Sequence, residues 1–221
     1  MPKSQGSSAA PVRSAKGYHH GDLRGALIHT ALGMITEEGA SDFTLREVAR
    51  RAGVSHMAPY NHFEDKSALL AEVAALGLES LTQTLETAAR GQRRSARLAF
   101  GDIVAAYVRF GVEHPAHYRL MFGAELAEKA RYPTLEAANA AACAVLTGPL
   151  ERRASSPARG VSMRDQALAA WSLVHGLTTL LIDQRVSFLE VSTGEAEQYA
   201  RQAGMALFEG LRQNDLIERR R

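Results

Sequence analysis

Residues 44–62 read TLREVARRAGVSHMAPYNH, and this stretch decides the fold. Thr44 and Glu47 stand three apart, the spacing of a capping box in which each side chain satisfies the other's backbone N–H. Leu45, Val48 and Ala49 then share one side of a helix of about two turns. Gly53 suits the left-handed residue that ends such a helix. Val54 is an apolar anchor, and Ser55 is placed to cap a second short helix. The stretch therefore reads helix, tight turn, helix.

The second half, with its continuation FEDKSALL, is dense in groups that bind metal, phosphate or bases. A metal site fits poorly. His56 and His62 are six apart, so on a helix they diverge by roughly 240° at about 100° per residue. His19 and His20 are adjacent and also diverge, and no second ligand pair has zinc-like spacing. An enzyme fits no better. The single cysteine, Cys143, has no flanking signature, and GxSxG, HExxH, P-loop and GxGxxG motifs are absent. The pattern implies no catalytic residue, no metal and no cofactor.

A reader of double-stranded DNA explains more. In a helix-turn-helix the second helix enters the major groove and its first residues meet base edges. A helix starting at Ser55 exposes His56 and Met57, then Tyr60 and Asn61. Asn and His hydrogen-bond base edges, and Met suits a thymine methyl. Tyr60 and His62 equally suit phosphate. Thr44 and Lys66 open the flanking helices, where free N–H groups and the positive dipole end favour phosphate. Phe63 reads as core. Pro59 is the discordant residue: it removes a backbone donor and crowds the preceding turn, which predicts a short or tightened second helix.

Outward from this stretch the signals are helical and strand signals are nearly absent. GDLRGALIHTALGMITEEG carries Leu23, Ala26/Leu27, Ala31 and Met34/Ile35 at helical spacing, with Asp22 to cap it and Gly39 to end it. A long helix follows Asp65 to about residue 89. Further helices are expected around Phe100–Phe110, ended by Pro115; over HYRLMFGAEL; from Thr134 toward Arg153, kinked near its end by Pro149; after Ser162; and from Glu195 to Asn214. ASSPARGVS is the clearest loop. The tail IERRR reads as solvated charge. Roughly nine helices and no sheet make an all-α protein.

Composition agrees. Of 221 residues 46% are apolar but only 6% aromatic, and net charge is +2, so charge alone announces no nucleic-acid partner. One cysteine precludes an internal disulfide and suits a reducing cytoplasm. MPKSQGSSAAPVRSAKG, residues 1–17, lacks the apolar centre of a secretory signal and reads as a disordered arm. The longest uncharged run, ALAAWSLVHGLTTLLI at 167–182, is shorter than the roughly 20 residues a bilayer requires, so it is expected as a buried helix rather than a membrane span.

YHHGDLRGALIHTALGMITEEG followed by TLREVARRAGVSHMAPYNHFEDKSALL resembles the N-terminal domain of TetR-type transcriptional regulators, over about residues 18–70. HPAHYRLMFG and WSLVHGLTTLLI resemble one C-terminal subgroup of that family, named for a Trp-His-Gly pattern that falls here on Trp171, His175 and Gly176. The resemblance implies a disordered arm (1–17), a three-helix helix-turn-helix domain (18–65) and a roughly six-helix ligand-binding and dimerisation domain (66–221). It implies a cytoplasmic homodimer that represses transcription from a near-palindromic operator until a small apolar or amphipathic effector releases it. Positions matching the family's DNA contacts are Thr44, Ser55, His56, Met57, Tyr60, Asn61, His62 and Lys66. Pro59 departs from the wider family, which often has leucine there, although Ala-Pro-Tyr recurs in the subgroup.

Candidate effector-lining residues are Phe100, Tyr107, Phe110, Tyr118, Met121, Phe122, Trp171 and His175, each of which also suits plain core. The last two helices are the expected dimer interface. Ala200, Ala203 and Gly204 would permit close approach, and Trp171, Leu181, Leu207 and Leu211 would supply apolar area. Two rival classes remain at this stage: an all-α enzyme using Cys143 or His175, and a protein-interaction module with a degenerate helix-turn-helix.

Overall fold

The structure is a computed structural model that describes residues 22–39, 41–90, 95–126, 128–153 and 162–218. The expected arm over 1–17 and most of the loop ASSPARGVS lie outside them. Eight α-helices and no strand occur among the described residues: α1 (Leu23–Glu38), α2 (Leu45–Arg51), α3 (Lys66–Ala89), α4 (Ala96–Glu113), α5 (Pro115–Phe122), α6 (Pro133–Arg153), α7 (Met163–Ile182) and α8 (Thr193–Glu218). None is long and apolar enough to cross a membrane.

Local chemistry sets the ends. The Asp22 carboxylate accepts the Gly25 N–H at 2.8 Å, and Gly39 closes α1 at φ 72° with its N–H donating to the Ile35 carbonyl. Ser95 and Ser162 cap α4 and α7. Pro115 opens α5, leaving His114 as the corner between two helices. α8 begins at Thr193, ahead of the expected Glu195, because Ser192 and Glu195 form a reciprocal cap. α6 continues through Pro149 to Arg153.

The buried helix is α4, not α7. Every residue from Phe100 to Val108 is buried, and α3, α6, α7 and α8 all pack on α4. A helix enclosed on all sides loses its polar face. The one carboxylate in that stretch, Asp102, is paired with Arg201 of α8. By contrast only Gln166, Ala170, Val174 and Thr178 of α7 are buried, and Leu168 and Leu180 are 63% and 43% exposed. The expectation that the uncharged run is a buried helix is corrected: it is half-covered.

Several residues expected at the dimer interface are already engaged within the protomer. Ala200, Gly204 and Leu211 are buried. A Cβ on Gly204 would lie 2.9 Å from Val104 Cγ2, and one on Gly101 would lie 2.7 Å from Met205 Cγ. The small residues thus serve the α4–α8 crossing, where backbones approach closely. Leu181 and Leu207 are half-buried and pack on the same core. Trp171 turns into an aromatic cluster described below.

Candidate functional site

The first candidate surface is formed by α2 and the segment after it. The capping box is present in full: the Glu47 carboxylate accepts the Thr44 N–H at 2.6 Å and its hydroxyl at 2.8 Å, while Thr44 Oγ1 accepts the Glu47 N–H at 3.3 Å. These bonds from Thr44, backbone first, hold the Glu47 carboxyl below the usual carboxylate range, aided by Arg50 and Lys66. Gly53 adopts φ 72°, and the Val54 N–H donates to the Ala49 carbonyl at 3.0 Å, turning the chain sharply.

The second helix is a single 3-10 turn, Ala58–Asn61. It starts two residues later than a helix capped by Ser55 would. Ser55 organises the turn ahead of it: its hydroxyl accepts the Met57 N–H at 3.4 Å and its carbonyl accepts the Ala58 N–H at 2.9 Å. Pro59 explains the tightening. It sits at the start of the turn, where a missing N–H costs little. Its carbonyl accepts both the His62 and Phe63 N–H groups, and its ring is buried, as is Phe63.

This leaves Ser55, His56, Met57, Tyr60, Asn61 and His62 exposed on one convex turn, with Met57 55% and Tyr60 45% accessible. Thr44 is exposed beside it. Lys66 is half-buried, its ammonium 5.6 Å from the Phe43 ring centroid. The sequence reading missed Arg46 and Arg50. Both are exposed on α2. Their i, i+4 spacing on the polar side of that helix was the available signal.

The second candidate site lies around His175. Its Nδ1 is 2.9 Å from the Tyr107 hydroxyl and 2.7 Å from the Tyr118 hydroxyl. The Trp171 ring stacks on the imidazole with centroids 5.3 Å apart, and the Phe122 ring meets it edge-on at 4.4 Å. Burial raises the phenol of Tyr118 to about 12 and pushes that of Tyr107 well above its ordinary value. Both tyrosines therefore stay protonated.

Two clefts open on either side of the Phe122–His175 wall. One, of about 530 Å³, runs between α6 and α7 and is also lined by Asn139, Cys143, Arg164 and Leu168. The other, of about 380 Å³, is bordered by Arg119, Thr179 and Asp183. Five of the eight expected lining residues thus converge: Tyr107, Tyr118, Phe122, Trp171 and His175. Three do not. Phe100 packs on Phe208 of α8 at 6.0 Å, Phe110 packs on His114 at 5.0 Å, and Met121 is buried against Gly77 of α3. All three are core because α4 and α5 present more than one apolar side.

The two sites are mechanically joined. His117, one residue before Tyr118, donates from Nε2 to the Val73 carbonyl of α3 at 2.8 Å. Beyond Phe122, the connection to α6 contacts the helix-turn-helix twice. The Ser41 hydroxyl donates to Glu125 at 2.8 Å, and Arg131 donates to Asp65, the cap of α3, at 3.3 Å. Among the described residues no group of three or more His, Cys, Asp or Glu could hold a metal ion.

Comparison with known proteins agrees with this arrangement. Residues 27–73 match the model of "bacterial regulatory proteins, tetR family", and residues 100–203 match a "tetracyclin repressor-like, C-terminal domain". A Rhodococcus sp. RHA1 protein of unknown function is 31% identical, with a TM-score of 0.72 over 88% of this chain and 97% of that one. The TetR family transcriptional regulator PfmR from Thermus thermophilus is 22% identical, with a TM-score of 0.58 over 84% and 95%. FadR from Bacillus subtilis, solved with stearoyl-CoA, is 13% identical, with a TM-score of 0.63 over 82% and 97%. No curated protein matches the chain in sequence.

Proposed function

Because the chain belongs to the tetR family of bacterial regulatory proteins, a family of DNA-binding transcription regulators, we propose that it acts in the cytoplasm as a homodimeric repressor. A small apolar or amphipathic effector releases it from a near-palindromic operator. The observation that carries this is the exposed turn from Ser55 to His62, flanked by Thr44, Arg46 and Arg50, beside a separate aromatic cleft around His175. One surface suits a duplex and the other a ligand, and two sets of contacts join them.

On DNA, His56, Met57 and Asn61 meet base edges, while Tyr60, His62 and Lys66 hold phosphate. A dimer sets two such turns about one helical repeat apart, roughly 34–36 Å. The dimer face differs from the sequence expectation. It is the uncovered side of α7 and α8: Ser172, Gly176 and Leu180 with Tyr199, Ala206 and Gly210, all exposed in the protomer. A side chain on Gly176 or Gly210 would meet nothing within 4 Å. The Trp171, His175, Gly176 pattern supports membership of the Trp-His-Gly subgroup. Trp171 belongs to the ligand wall, His175 to its centre and Gly176 to the partner-facing side.

Release requires that the effector bind the DNA-free state better than the DNA-bound state. Displacement of Phe122 by a ligand moves α5, and with it the His117–Val73 bond to α3 and the Glu125 and Arg131 ties to the reading domain. Selection of genomic fragments by purified protein, read against salt concentration, tests the whole reading. Recovery of short inverted repeats with strongly salt-dependent binding is expected. Binding that is absent at every salt concentration overturns it and favours a pure protein-interaction role.

A further inference from the structure

We propose that the cleft between α6 and α7 takes an elongated amphipathic anion, and that Arg164 recognises its charged head. This rests on the effector reading above and names the chemistry of the molecule that cleft accepts.

Shape comes first. Arg164, Leu168, Trp171 and His175 fall at i, i+4, i+7 and i+11 of α7, so they form one stripe along a single helical face. At 1.5 Å per residue that stripe is about 16 Å long. Asn139 and Cys143, one turn apart on α6, and Phe122 of α5 complete the lining. A cleft of about 530 Å³ that follows such a stripe suits an extended ligand rather than a compact one. Its middle is apolar: Ala167, Leu168 and the faces of Trp171 and Phe122. Leu168 is 63% exposed, a large apolar side chain on a concave wall that an apolar ligand body would cover.

Charge comes second. Among the described residues the lining of this cleft includes Arg164 but no Asp or Glu. The other arginine-bearing clefts differ. In the polar cleft of about 680 Å³ between α3, α4 and α8, Arg109 and Arg201 are paired with Glu197, and Arg201 also with Asp102. Arg119, beside the second cleft at His175, is paired with Asp183 at 2.9 Å. Arg164 makes no salt bridge among the described residues. A guanidinium lining an apolar groove, with no carboxylate among the described lining residues, offers its planar fork to an anion from outside. Carboxylate and phosphate heads both match that fork.

The chain contains one tryptophan, Trp171, in the wall of this cleft, so its fluorescence reports occupancy. Full-length protein is titrated with dodecanoate, dodecyl phosphate and dodecan-1-ol, each below its micelle-forming concentration. At least one anion is expected to bind about tenfold tighter than the alcohol, and the tighter anion identifies the head group. Arg164→Gln is expected to abolish that preference while leaving alcohol affinity within twofold, and Arg164→Lys to restore part of it. Leu168→Asn is expected to weaken all three probes. Equal affinities in the wild type, or a preference that survives Arg164→Gln, overturn the anion proposal while leaving the cleft as effector site. If no probe alters Trp171 emission, both the anion proposal and the cleft assignment fall.

Discussion

His117 Nε2 donates to the Val73 carbonyl at 2.8 Å from within a notch that Gly77 leaves on α3. The notch is tight: a Cβ on Gly77 would stand 2.5 Å from that nitrogen and 2.7 Å from Met121 Sδ. α5 is therefore keyed into α3 between the aromatic wall at Tyr118 and Phe122 and the α3 cap at Asp65. Packed interfaces of this kind shift between discrete arrangements rather than deforming continuously.

Gly77→Ala is expected to remove the notch. Overpacking typically costs about 1–3 kcal/mol, against a helix-propensity gain of about 1 kcal/mol. A net loss of up to about 2 kcal/mol by urea unfolding is expected, with weakened coupling between effector and DNA. Gly33→Ala is the contrast, because a Cβ there meets nothing within 4 Å. It should stabilise the protein by about 0.5–1 kcal/mol.

The same imidazole predicts a pH dependence. Burial holds His117 below its ordinary value of 6.5, more strongly than the Val73 bond and the nearby His114 alter it. The unfolded chain thus takes up this proton at a higher pH than the native chain does. Its contribution to stability is complete above about pH 6.5 and is lost progressively as pH falls toward the native value. Urea midpoints measured from about pH 7.5 down to about 5 should decline, and His117→Gln should flatten that decline. An unchanged slope in the variant would assign the effect to other histidines.

Two glycines of α8 should separate folding from assembly. Gly210 is exposed with nothing near its Cβ position, whereas Gly204 faces Val104 and the Gly101 backbone. Gly210→Trp is expected to yield a folded monomer by sedimentation and circular dichroism. Gly204→Leu is expected to lower stability by about 3 kcal/mol or more by forcing α8 off α4. A dimeric Gly210→Trp protein would move the interface elsewhere.

On the DNA surface, side chains that read and side chains that hold should differ in kind. Asn61→Ala or Met57→Ala should change sequence preference by about 1–3 kcal/mol at one base step. Tyr60→Ala should weaken all sequences alike. Arg46→Gln should reduce the salt slope of binding by about one ion. Anisotropy titrations on the selected fragments across a salt series distinguish these outcomes.

Much of this was legible in one dimension because the signals are local. Thr44 and Glu47 announce a capping box at three-residue spacing, and the box forms as read. Gly39 and Gly53 are left-handed where the sequence placed turns. Pro59 foretold a tightened second helix, and a single 3-10 turn is present. Each depends on atoms within four residues of one another, so spacing carries the whole interaction. The start of that turn was less legible, because a serine before a polar run caps a helix or organises a turn with the same few atoms.

Which side of a helix meets what was not legible. Ala200 and Gly204 look the same in sequence whether they face α4 or a second copy of the chain, since small residues permit either approach. Phe100, Phe110 and Met121 carry the same apolar signal as Phe122 and Trp171, yet only the latter two border the clefts at His175. Arg164 was indistinguishable from any surface arginine until Leu168, Trp171 and His175 were set beside it along one groove. Helix ends, turn chemistry and the exposed polar turn after Gly53 were written into the chain itself, because short-range hydrogen bonds decide them. Which apolar faces became core, cleft or uncovered surface was settled when the helices packed. Burial of an apolar face is non-directional, and its partner is chosen by the packing of helices far apart in the chain.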